Sequence, residues 1–344
     1  MKLNLPFFVL CAALAGAASA ESSLTIFGRV DLSVRYLKYA QTEQTQVAPD
    51  GTSPSRLGFR GVEDIADGLR AGFHLESSVV ADTGNFSANG KFWNRRATVS
   101  LFTRYGELRL GRDVVPTWLP FVEADAFGVS GVGDGSKTYR PLGGADTRVF
   151  SDNMVSYLLP SNPWGIYGTI SSAPGEGLAG RRYMGARLGY RSGPVDFSVG
   201  YGETSVATGT YKLAIVSGSY DMKWAKFYGV AQKTELLQDA NVHVDVGVAV
   251  PLAPGFTVRA SYARVDGQGG LDAADADQYA LGLVYDLSKR TILYTTVSTI
   301  NNKGTANYTV GDIFVASPTN TAVPLPLPPG TRSQGAEAGI RHIF

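Results

Sequence analysis

Apolar and polar residues alternate along much of this chain, and this alternation restricts the folds open to it. In the segment 24–36, Ile26 and Val34 share one face with other apolar residues, whereas Arg29 lies on the opposite, polar face. Phe27 is the one apolar residue on that polar face. The same alternation recurs in segments 56–61, 69–76 and 336–344. Successive side chains of a β-strand point to opposite sides, so the pattern predicts strands with one apolar and one polar face.

Residues 1–20 differ from the rest of the chain and are expected to be removed. They combine one basic residue (Lys2), an apolar run over 7–15 and small residues ending at Ala20, which is the pattern of a cleaved secretory signal peptide. A lipoprotein signal using Cys11 is the alternative, but the two residues before Cys11 are bulky. Cleavage would remove the only cysteine, so we expect no disulfide, thiolate nucleophile or cysteine metal site in the mature chain.

An exported chain with this alternation can form a soluble β-sandwich or a transmembrane β-barrel. After residue 20 no run of about 18 apolar residues occurs, so no transmembrane helix is expected. The apolar faces are rich in Gly, Ala, Val, Tyr and Phe, and the last strand ends on Phe344. A surface that meets lipid needs no interdigitating partner sheet, and aromatic residues collect at membrane interfaces, so these features favour the barrel.

Sixteen strands are predicted, an even number as single-chain outer-membrane barrels require. They span 24–38, 54–63, 68–79, 92–103, 106–112, 151–160, 164–172, 182–191, 194–203, 211–221, 223–234, 241–250, 255–265, 277–286, 289–300 and 334–344. Short and long spacers alternate between them, and the long ones are 39–53, 80–91, 113–150, 173–181, 204–210, 235–240, 266–276 and 301–333. Short periplasmic turns that alternate with longer outer loops are typical of such a barrel.

Composition and motifs argue against several other functions. The 31 Lys and Arg are balanced by 30 Asp and Glu, which disfavours a nucleic-acid-binding protein. The three histidines, His74, His243 and His342, are far apart in sequence, and no G-x-S-x-G motif occurs. The GEGLAG stretch at 175–180 precedes a predicted strand rather than a helix, so a dinucleotide site is not expected there. We therefore predict no enzyme activity, no cofactor and no metal site.

Longer stretches of the chain resemble a known family. SSLTIFGRVDLSVRY, SRLGFRGVEDIADGLRAGFHLE, KFWNRRATVSLFTRYGELRLGRDVVPTW, LSKRTILYTTVSTINNK and the terminal AGIRHIF are similar to stretches of Gram-negative general-diffusion porins. The similarity is greatest to the trimeric, anion-preferring porins of β-proteobacteria. It covers essentially the whole chain after residue 20, and it implies a sixteen-stranded antiparallel barrel in the outer membrane, assembled as a homotrimer with an inward-folded third loop.

The spacer 113–150 is the candidate for that loop. It is far longer than the ~12–15 residues beyond which a structureless loop needs a functional reason. A sixteen-stranded barrel encloses a wide aqueous lumen, and a loop folded inward would narrow it and allow facing charges to set selectivity. The acidic side of such a constriction could come from the loop carboxylates Glu123, Asp125, Asp134 and Asp146.

The resemblance also implies specific charged residues at the constriction. The basic cluster of the family matches Arg56, Arg95 and Arg148, its acidic counterpart on the wall matches Glu76, and its loop carboxylate matches Asp125. Arg60 and Arg96 are further basic candidates. Simple alternation places Arg95 with the lipid-facing residues, so either a bulge resets the strand or Arg96 takes its role.

These observations predict an outer-membrane porin that passes small hydrophilic solutes and ions, with a weak preference for anions. Its expected partners are those solutes, outer-membrane lipid and two further copies of the chain, without nucleic acid. A substrate-specific channel is the alternative within transport, and a barrel adhesin or membrane enzyme is the alternative outside it.

Overall fold

A computed structural model describes residues 22–86, 90–311, 314–316, 322–324 and 327–344. The predicted signal peptide, residues 1–20, lies outside them. The strands are β1 (Ser22–Tyr39), β2 (Thr42–Ala48), β3 (Arg56–Ala66), β4 (Leu69–Val80), β5 (Asn85–Phe86), β6 (Arg96–Thr103), β7 (Gly106–Val114), β8 (Phe150–Leu158), β9 (Ile166–Ala173), β10 (Arg182–Ser192), β11 (Val195–Val206), β12 (Gly209–Asp221), β13 (Lys226–Leu236), β14 (Asp239–Ala253), β15 (Phe256–Gln268), β16 (Ala276–Asp286), β17 (Thr291–Asn302), β18 (Phe314–Ala316), β19 (Ala322–Pro324) and β20 (Ser333–Ile343).

The strands form one antiparallel sheet that closes on itself where β1 pairs with β20. β2 pairs with residues 33–39 of β1, and β3 pairs with residues 22–29 of β1. β2 and β3 therefore share one strand position in the barrel. β5 only extends the end of β4, and β18 pairs with β19 in a separate hairpin. Among the described residues the barrel therefore has sixteen strand positions, which confirms the predicted architecture.

The predicted strands all have counterparts, but three loop predictions are wrong. The long loops expected at 204–210 and 235–240 are two-residue turns between β11 and β12 and between β13 and β14. The loop expected at 39–53 contains β2, whose sequence TEQTQVA has almost no apolar residues. Strand pairing in these three places continues past the apolar band, where neither face needs apolar side chains, so apolar alternation did not reveal it.

The two faces of the sheet have the polarity expected of a membrane barrel. Ile26 and Val34 point outward and are about three-fifths exposed on the isolated chain, whereas Asp31 and Ser33 point inward and are buried. Phe27 points inward as well, and its ring occupies the space beside Gly58. The Cζ atom of Arg60 lies over this ring, 5.3 Å from its centre. The one apolar exception on the polar face therefore packs inside the barrel.

Helical structure is sparse. α1 (Leu119–Ala124) and the short 3₁₀ helices Gly135–Thr138 and Gly269–Leu271 are the helices among the described residues. None of the helices in that part of the chain is long and apolar enough to cross a membrane.

Candidate pore constriction

Residues 115–149, here named L3, connect the end of β7 to the start of β8. The backbone N–H of Val115 donates to the carbonyl of Val149 at 2.9 Å, so the loop has a closed base. From there α1 packs against β11, β12 and β13, and the 3₁₀ helix Gly135–Thr138 packs against β15 and β16. L3 therefore lies inside the barrel along its inner wall, as predicted.

An apolar cluster attaches both the beginning and the end of L3 to the wall. Trp118, Phe121 and Tyr139 of the loop are buried, and Trp118 stacks on Phe121 at a ring distance of 5.7 Å. The wall residues of the cluster are unusually apolar for the inner face of a barrel; they include Tyr183, Tyr211, Leu213, Ile215 and Val230. Burial of these side chains excludes water from the contact and stabilises the inward position of the loop.

A buried carboxylate holds the middle of L3. Glu337 of β20 accepts a hydrogen bond from the backbone N–H of Val132 at 2.9 Å through Oε1. Its Oε2 pairs with Arg35 of β1 at 2.8 Å, and Arg35 also pairs with Asp50 at 2.9 Å. L3 thus extends along the inner wall from β7 and β8 to the seam between β20 and β1.

The opposite wall carries a cluster of basic groups around one carboxylate. Glu76 of β4 pairs with Arg95 at 2.5 Å and with Arg56 of β3 at 3.1 Å, both through Oε1. His74 Nε2 lies 3.4 Å from Glu76 Oε2. Two guanidinium groups therefore share one carboxylate, which leaves this part of the wall with a net positive charge. Arg56, Arg95 and Glu76 are brought together as the resemblance implies.

Both Arg95 and Arg96 contribute to the wall. β6 was expected to begin at residue 92 but begins at Arg96, which is in phase with the inward-facing Thr98 and lies 3.6 Å from Asp113. Arg95 precedes the regular strand, so alternation does not fix its direction, and its side chain reaches Glu76. The two residues are therefore not alternatives, because Arg95 contacts Glu76 and Arg96 lies near Asp113 on the same inner wall.

Two arginines that were not among the predicted site residues adjoin this cluster. Arg29 of β1 stands directly opposite Arg56, and its Nη1 donates to Ser53 Oγ at 2.5 Å. Arg341 of β20 donates to Thr52 Oγ1 at 3.3 Å and interacts electrostatically with Arg29. Neither forms an ion pair within the described part of the chain. Alternation placed both on polar faces, but only the pairing of β1 with β3 and β20 shows their position beside Arg56.

Arg148 lies apart from the other predicted arginines. It belongs to L3, where its Nη2 donates to the carbonyl of Ser136 at 2.8 Å and its guanidinium lies over the rings of Trp118 and Tyr139. Its contacts therefore stabilise the loop from within. Arg60, the other candidate, lies over Phe27.

The four loop carboxylates take three different positions. Glu123 is held at 3.0 Å by Arg187 of β10, and the exposed Asp146 lies 3.6 Å from Arg181. Asp125 and Asp134 are buried between L3 and the wall, with 5% and 6% of their surfaces exposed. Burial, and next the charge of Asp134, raises the pKa of Asp125 well above its usual range. Among the described residues, no group of three His, Cys, Asp or Glu is placed to hold a metal ion.

A closed sixteen-position barrel, with an inward loop opposite a basic wall, defines the class of channel-forming outer-membrane proteins. Comparison with known proteins gives the family. Residues 8–305 match the family model described as Gram-negative porin. The chain is 34% identical over its whole length to the whole of outer membrane porin protein 32 of Delftia acidovorans. It therefore belongs to the Gram-negative porin family and is an outer-membrane protein.

Further relatives agree with this assignment. The chain is 27% identical to major outer membrane protein P.IB of Neisseria meningitidis serogroup A, over 81% of this chain and 88% of that protein. A solved structure described as an anion-selective porin from Comamonas acidovorans superimposes with a TM-score of 0.81 at 32% identity, covering 94% of this chain and all of that one. OmpT of Vibrio cholerae, at 15% identity and a TM-score of 0.68, shares the fold over 94% of this chain and 98% of its own.

Proposed function

We propose that this porin is a passive, non-catalytic channel for small hydrophilic solutes that prefers anions, with selectivity set at the constriction between L3 and the opposite wall. The observation that carries the proposal is the excess of guanidinium groups on that wall. Arg56 and Arg95 share Glu76, and Arg29 and Arg341 have no carboxylate within ion-pair distance in the described residues. The related structure described as anion-selective supports the same direction of selectivity.

The carboxylates of L3 do not offset this positive charge. Asp125 and Asp134 are buried behind the loop, and Glu123 is paired with Arg187. Unit charges 4 Å apart interact by about 1 kcal/mol in bulk water and about 4 kcal/mol at an effective dielectric constant near 20. A few unpaired arginines in a narrow pore can therefore favour anions severalfold without binding them tightly.

Three further features belong to the proposal. L3 is the constriction element, the mature chain begins at Glu21 after signal-peptide cleavage, and the functional unit is a homotrimer, as the family resemblance implies. N-terminal sequencing of protein purified from outer membranes tests the cleavage site. Chemical cross-linking of that protein in detergent tests the trimer.

Reversal potentials of the purified protein in planar bilayers under a KCl gradient test the selectivity. We expect the sign that corresponds to chloride permeating faster than potassium. The preference should weaken near 1 M salt, because the screening length there falls to about 3 Å. Cation preference would contradict the proposed selectivity but not membership of the porin family, and the absence of any conductance would contradict the channel itself.

A further inference from the structure

Three carboxylates meet where L3 lies against the inner wall, on the side of the loop away from the arginines around Glu76. Asp125 and Asp134 belong to L3, and Asp245 belongs to β14 and is fully buried. None of the three forms an ion pair within the described residues, although other carboxylates of the lumen do. A buried carboxylate without a cation destabilises the folded state, and a neutral, protonated form avoids that cost.

Asp245 is the least satisfied of the three. Both of its carboxyl oxygens are buried without a hydrogen-bond partner. Its neighbours across the sheet are Val230 and Ala263, which offer no side-chain donor. The space that a Cβ atom would take at Gly135 of L3 is already occupied by Asp245 Oδ2, so the backbone of the loop lies directly against this carboxyl group.

One oxygen of Asp125 faces the same place. Asp125 Oδ1 is 3.5 Å from that Cβ position of Gly135, and it too is buried without a partner. Its other oxygen is used within the loop, where it accepts the N–H of Val129 at 2.5 Å. An unsatisfied carboxyl oxygen of the loop and one of the wall thus lie beside the same point of the Gly135 backbone. A proton on one carboxyl group supplies the donor that the other lacks.

The charged and titratable groups around these two oxygens do not replace that proton. Asp134 uses Oδ1 to accept the N–H of Ser136 at 2.8 Å, and its charge acts on both other carboxyl groups. Arg259 of β15 interacts electrostatically with Asp125 but lies beyond ion-pair distance, and Tyr228 of β13 interacts with Arg259.

His243 and Arg148 complete the surroundings. His243, two residues before Asp245 on β14, bonds through Nε2 to the carbonyl of Gly135 at 3.2 Å and to Thr138 Oγ1 at 2.9 Å. The guanidinium group of Arg148 acts electrostatically on His243 and forms no ion pair with the three carboxylates within the described residues. No cation in the described residues therefore neutralises the three carboxylates.

We propose that Asp245 is a positioning residue for the constriction, and that it holds L3 against the wall through a proton shared with Asp125. Loss of that proton places adjacent negative charges on the loop and on the wall, and L3 then moves off β14 into the lumen. The proposal rests on the proposed channel function, because it concerns the width of the same constriction.

The direction of the pH dependence follows from the buried carboxyl of L3. Burial raises the pKa of Asp125 above the value it has when L3 is free in water. The docked loop therefore binds more protons than the free loop between those two pKa values. The proton of Asp125 favours docking fully below the pKa that Asp125 has in the free loop. This contribution is lost as the pH rises through the higher pKa that Asp125 has in the docked loop. We expect steady currents in acid and more frequent closures at alkaline pH.

The variant Asp245→Asn separates positioning from mere packing, because asparagine has the same shape and stays neutral at every pH. Single-channel currents of the purified protein are recorded from pH 5 to pH 9, in 1 M KCl to screen surface charge. In the wild type, closures should become more frequent as the pH rises. Asp245→Asn should lose this pH dependence. Asp125→Asn should lose it as well, and it replaces the first variant in the test if Asp245→Asn does not fold. Asp272→Asn, which removes an exposed loop carboxylate, is the matched control and should behave like the wild type.

Infrared spectroscopy provides a readout that needs no conductance. The wild type near neutral pH should show the carbonyl stretch of a protonated carboxylic acid, and Asp245→Asn or Asp125→Asn should lose it while Asp272→Asn retains it. A missing band, or an unchanged pH dependence of the currents in Asp245→Asn, would overturn the proposal. Absence of current from every variant, with the band present, would instead contradict the channel function.

Discussion

The two sides of the inner wall differ in what they present to the lumen. The side formed by β10 to β16 is covered by L3, and its inward residues include Leu213, Ile215 and Val230. The side formed by β1 to β7 is not covered in this way, and it carries Arg29 and Arg56 among other charged groups. Because L3 covers one part of the wall, the passage has two unlike sides. One side carries arginines, and the other is formed by L3.

This difference explains how a wide barrel can select solutes by charge. In an open lumen, charges on opposite walls are separated by water and screened, whereas a narrow passage with low-dielectric walls concentrates the field of a few residues. L3 narrows the lumen, and the pairing of β1, β3 and β4 brings arginines together around Glu76. The selectivity we propose depends on both features, and each can be changed separately.

The largest effect is expected from removing the loop. Because Val115 and Val149 are already joined by a backbone hydrogen bond, residues 116–148 can be replaced by a two-residue turn that continues the hairpin of β7 and β8. We expect single-channel conductance to rise by at least about twofold, with loss of most charge selectivity, since the lumen alone is too wide to discriminate small ions. Conductance and exclusion of sized polyethylene glycols measure this. An unchanged conductance in a correctly folded barrel would show that L3 is not the constriction.

The contrast between the two sides also shows what the sequence could predict. Alternation located all sixteen strand positions and assigned Arg29 and Arg341 to the polar face, because the face of a residue depends only on its neighbours in the same strand. The height of a residue in the barrel depends on the pairing between strands that can be hundreds of residues apart, such as β1 and β20. For that reason the position of Arg29 and Arg341 beside Arg56 was missed.

The interior of the loop was even less accessible to sequence analysis. Glu123, Asp125, Asp134 and Asp146 have the same chemistry in the sequence, but the structure gives them an ion pair, two buried positions and an exposed one. Which carboxylate faces water depends on the packing of Trp118 and Phe121 against the wall. Packing of that kind follows no fixed spacing along the chain.

The next largest effect should come from the unpaired arginines. Replacing Arg29 and Arg341 together by glutamine removes two charges that form no ion pair within the described residues. We expect the chloride-to-potassium permeability ratio to fall by at least about twofold. Reversal potentials under a KCl gradient measure the ratio.

The matched control lies on the covered side. Arg187→Gln also removes one positive charge from the barrel interior, but from the side that L3 covers, where Arg187 contacts Glu123 of the loop at 3.0 Å through both carboxyl oxygens. This variant should change the permeability ratio much less than either Arg29→Gln or Arg341→Gln. An equal loss in all of these variants would mean that total lumen charge, and not its position beside the constriction, sets selectivity.

The smallest effect, and the one of opposite sign, should come from Glu76→Gln. Glu76 neutralises part of the charge of Arg56 and Arg95, so its loss should raise the anion preference, by roughly twofold or less because glutamine still accepts a hydrogen bond from one of the two guanidinium groups. Glu43→Gln breaks an ion pair with Lys38 outside the lumen at 2.5 Å and should leave the permeability ratio unchanged. If Glu76→Gln lowered the anion preference instead, the carboxylate would be needed to hold Arg56 and Arg95 toward the passage. Their positions, more than their net charge, would then control the selectivity of this wall.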